Sequence, residues 1–370
     1  MSDDAIPEPD RIAGAPHPRE TVDLYGQQAA EAAFLDAFGS GRLHSGWLIT
    51  GPRGVGKATL AWKIATFLLA GEGQGGGLFG DPTLAVDPEH PDARLVRSGA
   101  HPCLTVIRRQ VNDQTGKLRA DITVDAVRSL KRFFQMSAAD GGHRVVIVDA
   151  ADELNRNAAN AILKELEEPP ANATLLLIAH QPTRLLPTIR SRCRVLRCAT
   201  LGAEDLSRAL GQAGFSTDHS ESLATLAAGS AGDAIRLLQH DGLAAYAELI
   251  KLFEGLPQVS RPDALRLAES CTGRGADVRF GLILDLIDLF IARAARAGLA
   301  GEPATQGAPG EARLLSRIAP DHRAAQDWAA LQQALTDRSR HGRAVNLDPA
   351  ALILDMVFKI EETARTRAPA

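Results

Sequence analysis

A glycine-rich stretch that ends in a lysine is the part of the sequence whose residue types indicate a chemical role most directly. Its sequence is Gly51-Pro-Arg-Gly-Val-Gly-Lys57. Glycines let consecutive backbone N–H groups turn toward one anion, and the lysine adds a positive charge, so the stretch predicts a phosphate-binding loop. The alternative is a glycine-rich turn in which the lysine occurs by chance.

The residues on either side of this loop predict the elements that must position it. Trp47-Leu-Ile-Thr50 is typical of a short buried strand. The apolar residues after the loop recur at the spacing of a helix whose N-terminus would lie at the loop: Leu60, Ile64, Phe67 and Leu68. Strand, loop and helix in this order favour a P-loop fold over a chance turn.

The position after the lysine does not suit a magnesium site. A P-loop normally carries Ser or Thr there, because the hydroxyl binds Mg²⁺. This sequence has Ala58 at that position, and Thr59 comes one residue late. We therefore expect a loop that could bind phosphate while holding the metal poorly, and we predict no dedicated metal site.

A second pattern, Val145-Val-Ile-Val-Asp149, predicts a buried strand that ends in an aspartate. In P-loop ATPases such an aspartate lies beside Mg²⁺, and a further carboxylate orients the attacking water. Asp149 could help to hold metal, or it could cap the segment that follows. The next residue is Ala150, and we expect Asp152 and Glu153 to point elsewhere. Two altered positions, 58 and 150, indicate a domain that keeps the fold without fast hydrolysis.

Strand and helix patterns alternate from residue 47 to about residue 199, which predicts an α/β P-loop domain with a parallel sheet covered by helices on both faces. Beyond residue 199 the apolar residues follow helical spacing. We expect a mobile N-terminal tail at 1–18, the P-loop domain at 19–200, a small helical lid at 201–243 and an all-α collar at 244–370. The glycine-rich stretch at 71–93 predicts a surface insertion.

Composition excludes several classes of protein. The 370 residues include 41 basic and 45 acidic ones, and the net charge of −4 disfavours a protein coated in positive charge for indiscriminate nucleic-acid binding. No C-x-x-C pair is present, so we expect no zinc site and four reduced cysteines, as is typical of the cytoplasm. No signal-peptide pattern is evident at residues 1–20, and the longest apolar run is too short and too charged for a membrane span.

Two further motifs indicate a family. Leu163-Lys-Glu-Leu-Glu-Glu-Pro-Pro170 and Ser191-Arg-Cys193 resemble motifs of the bacterial clamp-loader subset of AAA+ proteins. Tyr25-Gly-Gln-Gln28 and Arg42-Leu-His44 are similar to the same family, and the resemblance covers residues 15–240. The helical C-terminal region is also of the type that this family has.

The resemblance implies roles for individual residues. Arg192 would be an arginine finger that reaches the ATP site of a neighbouring subunit. Gly232 takes the place of a nucleotide-sensing arginine, and Ala179 or His180 takes that of a sensing Thr or Asn. The nucleotide-binding positions would be Gly51, Gly54, Gly56, Lys57, Thr59 and Asp149. We expect ATP or ADP to bind without fast hydrolysis, and no zinc, because Cys103 is the only cysteine near the segment where relatives carry a zinc module.

The function implied is that of a clamp-loader subunit that has little or no ATPase activity itself. Its partners would be loader subunits of the tau/gamma and delta types, the sliding clamp, and primer-template DNA through the assembled complex. The main alternative, an ATP-hydrolysing subunit of the tau/gamma type, would carry a hydroxyl at 58, a carboxylate at 150 and an arginine at 232. A P-loop kinase of small molecules and a sequence-specific DNA-binding regulator explain the motifs less well.

Overall fold

The structure is a computed structural model that describes residues 8–71, 83–112, 114, 116, 118–135 and 142–366. Residues 72–82 of the predicted insertion at 71–93 and residues 1–7 of the predicted tail lie outside the described residues. Within the described ranges, no helix is both long and apolar enough to cross a membrane.

Five parallel strands form one sheet, as the alternating pattern predicts. Their order across the sheet is β2-β3-β4-β1-β5. The strands are β1 (Gly46–Thr50), β2 (Leu104–Arg108), β3 (Arg144–Asp149), β4 (Ala173–Ala179) and β5 (Arg194–Arg197). Every residue of β1 and β4 is buried, because both strands lie inside the sheet and both faces are covered.

Helices cover both faces of this sheet. The helices up to residue 212 are α1 (Gln28–Gly39), α2 (Lys57–Ala70), α3 (Pro91–Ser98), α4 (Val124–Gln135), α5 (Arg156–Glu167), α6 (Pro187–Arg190) and α7 (Ala203–Gln212). Successive residues of β3 point to opposite faces, so Ile147 packs with α1 and α2 while Val146 packs with α4 and α5. The predicted α/β architecture is confirmed.

Helices follow the sheet domain, again as predicted. They are α8 (Ser220–Ala227), α9 (Ala231–Gln239), α10 (Gly242–Phe253), α11 (Arg261–Glu269), α12 (Asp277–Ala300), α13 (Glu311–Ile318), α14 (His322–Ala344) and α15 (Pro349–Arg365). In the core of this region the ring of Phe290 lies between those of Phe253 and Trp328, with centroid distances of 4.6 Å and 6.3 Å.

The chain divides into two compact units that differ from the predicted boundaries. One unit spans residues 1–216 and 229–232, and the other spans residues 217–228 and 233–370. Residues 229–232 belong to the sheet unit because Leu201 N donates to Gly229 O at 2.9 Å and Gly232 N donates to Gly54 O at 3.1 Å. The assignment of a lid and a collar to the helical region stays a prediction.

The beginning of the chain also differs from the mobile tail predicted for residues 1–18. From Glu8 onward the chain is held in place by ion pairs between side chains. Arg108 Nη1 donates to Asp10 Oδ1 at 2.6 Å and Arg108 Nη2 donates to Glu8 Oε1 at 3.1 Å. His17 is fully buried, and its ring meets that of Trp62 edge-on at 5.7 Å. We call residues 8–17 the N-terminal segment.

A buried carboxylate organises the helical unit. Glu311, at the start of α13, is fully buried and accepts hydrogen bonds from the Tyr246 hydroxyl at 2.6 Å and from Arg293 Nε at 2.5 Å. Its other oxygen accepts from Arg293 Nη2 at 3.1 Å and from Gly307 N at 2.6 Å. One side chain therefore holds together α10, α12 and the loop before α13.

We expect Glu311→Ala to destabilise the protein by about 3–5 kcal/mol, because it leaves the guanidinium of Arg293 buried without its counter-ion. Urea unfolding followed by circular dichroism measures the effect. Asp337→Ala is the matched control, because Asp337 pairs with Arg340 at the surface of α14 and its loss should cost at most about 1 kcal/mol. Equal losses in the two variants would contradict the structural role of Glu311.

Candidate nucleotide site and the exposed Arg192

The predicted phosphate loop lies between the carboxyl end of β1 and the first residue of α2, where a P-loop must lie. Its backbone requires glycine. Gly54 has a φ of +74°, and a Cβ there would lie 2.2 Å from Ser230 Oγ. A Cβ on Gly51 would lie 2.4 Å from the carbonyl oxygen of Cys198. The sequence thus folds into a tight loop on which other backbone packs directly.

The lysine of this loop is turned onto the loop itself. Lys57 is only 3% exposed, and its Nζ donates to Gly51 O at 2.8 Å and to Pro52 O. Burial lowers the pKa of the Lys57 ammonium to about 8, and the nearby charge of Asp149 only partly opposes this. To bind a phosphate, the ammonium would have to give up these carbonyl partners.

The 229–232 segment covers the middle of the loop. Gly232 N donates to Gly54 O, and a Cβ on Gly232 would lie 2.9 Å from Gly54 Cα and 3.1 Å from Ile12 Cδ1. Any side chain at 232 would therefore collide with the loop or with the N-terminal segment. This contact leaves no room for a side chain at residue 232, where the resemblance implies that a nucleotide-sensing arginine has been replaced by glycine.

The carboxylates of the N-terminal segment lie near the carboxyl edge of the sheet. Asp10 bonds to Arg108, the last residue of β2, and its Oδ2 lies 3.2 Å from His17 Nε2. Burial works to raise the pKa of Asp10, but His17 and Arg108 outweigh it and hold that pKa below its ordinary value. Asp10 thus remains a buried anion close enough to influence Asp149.

Asp149 ends β3, and the sequence leaves open whether it helps to hold metal or caps the segment that follows. The residue is 9% exposed, and burial, with the negative charges of Asp10 and Glu153, raises its pKa to about 7. Lys57 and Arg53 oppose this shift without cancelling it. Near neutral pH the carboxyl group is therefore substantially protonated, which weakens it as a magnesium ligand.

The two acidic residues after Ala150 point elsewhere, as the sequence predicts. Asp152 accepts hydrogen bonds from the backbone N–H groups of His180 and Gln181, both at 3.0 Å. Glu153 pairs with Arg109 Nε at 2.8 Å. Each carboxylate thus has a structural partner, and neither takes the place of the missing water-orienting group.

His180 follows β4, where the resemblance places a sensing Thr or Asn. Burial, with the positive charges of Lys57 and Arg53, lowers the pKa of its imidazole to about 4. The ring is therefore neutral at pH 7, although Asp152 works in the opposite direction. A neutral imidazole therefore lies close to the charges of the loop, and the assignment of Ala179 or His180 to the sensing position stays a prediction.

These groups do not fit ATP with Mg²⁺ in the arrangement described. Lys57 is bonded within its own loop, the carbonyl of Gly54 is bonded to Gly232, and Ala58 offers no hydroxyl. Thr59 lies on the first turn of α2 and is partly buried. In the part of the chain that the structure describes, no group of three or more His, Cys, Asp or Glu side chains could hold a metal ion.

Arg192 lies at the opposite edge of the sheet from the loop. It comes just before β5, whose first residue pairs with Trp47 near the start of β1, and its carbonyl oxygen lies 3.2 Å from where a Cβ on Gly46 would be. The loop begins at Gly51, five residues further along an extended strand, or about 16 Å away. The side chain of Arg192 is 37% exposed. The structure therefore brings the loop residues and Asp149 together but places Arg192 apart from them.

Several residues of the loop region and of the region around Arg192 were not predicted from the sequence. Asp10 and Arg108 are 98 residues apart, and no local pattern links them. Apart from its place next to a glycine, nothing in the sequence indicated a role for Ser230. Glu167, which pairs with Arg192 at 2.8 Å, was part of a quoted motif but served there only to indicate a family.

The fold and this loop define the chain as a P-loop protein of the AAA+ class. The family profile described as "DNA polymerase III, delta subunit" matches residues 26–202. The DNA polymerase III subunit delta' of Pseudomonas aeruginosa is 34% identical over 255 residues, which are 67% of this chain and 71% of that protein. The chain belongs to the delta-prime family of DNA polymerase III clamp-loader subunits.

More distant similarities extend over more of the chain. The DNA polymerase III subunit tau of Escherichia coli K12 is 26% identical along an alignment of length 370 that covers 95% of this chain and 48% of that protein, so the chain spans about half of it. A solved structure of a gamma subunit-related protein from Thermotoga maritima covers 90% of this chain and 100% of its own, with 15% identity and a TM-score of 0.42. The delta-prime type, which the altered motifs favour over tau/gamma, is confirmed by the family match.

We expect the raised pKa of Asp149 to make stability depend on pH. The folded protein keeps the proton up to about pH 7, whereas the unfolded chain loses it near the ordinary value of 3.8, so stability falls as pH rises between these values. Asp149→Asn removes this penalty. The free energy of unfolding of the variant should exceed that of the parent at pH 8. This difference should shrink toward pH 4, by at most about 1.4 kcal/mol for each pH unit.

Urea unfolding of both proteins at pH 5 and pH 8 measures this difference. Asp125→Asn is the control, because the Asp125 side chain is 79% exposed and its replacement should have a small effect at both values. A stability difference between Asp149→Asn and the parent that is the same at the two pH values would contradict the buried, proton-binding state of Asp149.

Proposed function

We propose that this chain acts in a clamp loader as a subunit that does not hydrolyse ATP and that supplies Arg192 to the ATP site of a neighbouring subunit. The observation that carries the proposal is the position of Arg192, partly exposed at the edge of the sheet opposite its own loop. Arg192 lies too far from the loop of its own chain to act there, so a phosphate that it stabilised would belong to another molecule.

The state of the chain's own loop supports the first half of the proposal. Hydrolysis requires a metal ligand, a group that orients water, and a lysine free to hold the phosphates. Here Ala58 and Ala150 lack the first two functions, and Lys57 is bonded to its own loop. ATP or ADP would enter only after the 229–232 segment and Ile12 moved away from Gly54, and it would stay without fast hydrolysis.

In the neighbouring ATP site Arg192 would stabilise negative charge on the transferred phosphoryl group. Water attacks the γ-phosphorus, ADP leaves, and negative charge on the phosphoryl oxygens is stabilised by the guanidinium. Arginine fingers of this kind contribute about 10³–10⁵ in rate. The catalytic magnesium and lysine would be those of the neighbour, and this chain would contribute one positively charged side chain at the interface.

The partners proposed follow from the family. The neighbours would be loader subunits of the tau/gamma and delta types, and the assembled complex would open the sliding clamp and place it on primed DNA in the cytoplasm. An ATP-hydrolysing role of the tau/gamma type is the second candidate, and it is favoured only by the similarity to a tau subunit along most of the chain. The contact of Gly232 with the loop disfavours it, because a sensing arginine has no room there.

We expect Arg192→Ala to lower the ATPase activity of a reconstituted loader, measured as steady-state phosphate release with clamp and primed DNA. The site served by this arginine should fall by about 10³–10⁵ in kcat, so the total rate should drop by that site's share. Arg190→Ala is the matched control, because Arg190 is an exposed arginine two residues away. Identical activities of the parent and Arg192→Ala loaders would refute the arginine-finger assignment.

We expect the purified chain alone to show no ATP turnover above background. The double substitution Ala58→Thr and Ala150→Glu should not create ATP turnover. Lys57 remains bonded within the loop, and there is no room at Gly232 for the sensing side chain. The measurement is phosphate release by the isolated chain. Turnover by the unaltered chain at the rate of an active loader ATPase would favour the tau/gamma-type role instead.

A further inference from the structure

The two motifs that indicate the family come together in space. Glu167 belongs to the motif at 163–170 and Arg192 to the motif at 191–193, yet Arg192 Nη2 lies 2.8 Å from Glu167 Oε1. The second terminal nitrogen of the same guanidinium, Nη1, donates to Thr188 O at 3.1 Å. Both ends of the guanidinium are therefore attached to groups of its own chain.

The position of Glu167 is set by how its helix ends. Glu167 is the last residue of α5, and Pro169 and Pro170 prevent the helix from continuing. A carboxylate at this end lies near unpaired helix carbonyls, which attract a cation such as a guanidinium. The groups that attract the guanidinium thus lie at the end of a helix rather than on a flexible loop.

The backbone of Arg192 is equally well defined. Its N–H donates to Ile189 O at 3.1 Å, closing the turn after α6. The next residue, Cys193, packs beside Gly46 at the start of β1, and burial raises the pKa of its thiol to about 12, so it serves as a neutral packing group. With this backbone fixed, the contacts to Glu167 and Thr188 restrict the direction of the long side chain.

These contacts leave the guanidinium able to bind phosphate. Arginine has five N–H donors, and the hydrogen bond to Thr188 uses one of them, while the contact with Glu167 is an ion pair. The ion pair is also easily separated, because the side chains of Arg192 and Glu167 are 37% and 47% exposed and such pairs contribute at most about 1 kcal/mol. The pair therefore restrains the arginine without withholding it from a phosphate that carries several negative charges.

We propose that Glu167 is a positioning residue for Arg192: it holds the guanidinium in one partly exposed orientation before the neighbouring ATP site closes on it. This inference rests on the proposed function of Arg192. Holding a flexible side chain in place reduces the conformational entropy that it must lose in the transition state, which accelerates the reaction. The effect belongs to kcat rather than to KM, because the finger acts on charge that develops during phosphoryl transfer.

The test compares reconstituted loaders that carry Glu167→Ala, Glu167→Gln or Glu168→Ala in this chain. We expect Glu167→Ala to lower the kcat of the served site about two- to fivefold with the KM for ATP unchanged. Glu167→Gln should recover part of the loss, because its amide oxygen still accepts a hydrogen bond. Glu168→Ala is the matched control, an exposed glutamate at the next position, and it should leave both constants unchanged.

A double-mutant cycle separates this role from a general structural one. In an Arg192→Ala background, Glu167→Ala should have no further effect, because the residue that it positions is absent. An unchanged or increased kcat in Glu167→Ala, with Arg192→Ala still defective, would overturn the inference and leave the proposed function standing. A loss of the same size in the Arg192→Ala background would also overturn it. Full activity of Arg192→Ala would overturn both proposals.

Discussion

The pairing of β1 with two parallel neighbours determines where chemistry can occur in this protein. Because β4 and β5 run parallel to β1, all three strands present their carboxyl ends at one edge and their amino ends at the other. The glycine-rich loop must lie at the carboxyl edge, where β1 leads into α2. The turn that carries Arg192 must lie at the amino edge, where β5 begins. A strand of five residues therefore separates the loop from Arg192 in space.

The unusual residues of the loop region are physically consistent with one another. Where Gly232 packs on Gly54, there is no room for a side chain that would sense nucleotide. Where Asp149 is buried, its pKa is raised to about 7 by that burial and by the negative charge of Asp10, so the carboxyl group is partly protonated near neutral pH. The burial of Asp149 costs stability as pH rises toward 7, because the unfolded chain gives up this proton at a lower pH than the folded protein does.

The elements that fill the core were predictable, whereas the contacts that define both sites were not. Continuous apolar runs predict β3 and β4 because strands buried on both faces need them, and the glycines of the loop predict its backbone. Ala58 indicates the loss of metal binding from one position alone. The pairs Asp10–Arg108 and Glu167–Arg192 join residues distant in sequence, and their exposure and geometry depend on the finished sheet. Sequence spacing carries no information on such pairs.

The ion pair between Asp10 and Arg108 also has a consequence for the order of events during synthesis. A ribosome releases Asp10 long before Arg108, which follows 98 residues later, and β2 must dock before its last residue can meet the acidic segment. Until then the carboxylates of Glu8 and Asp10 remain hydrated, because burying them without a cation would be costly. Glu8 and Asp10 thus reach their native positions only after β2 has docked, although they are synthesised before it.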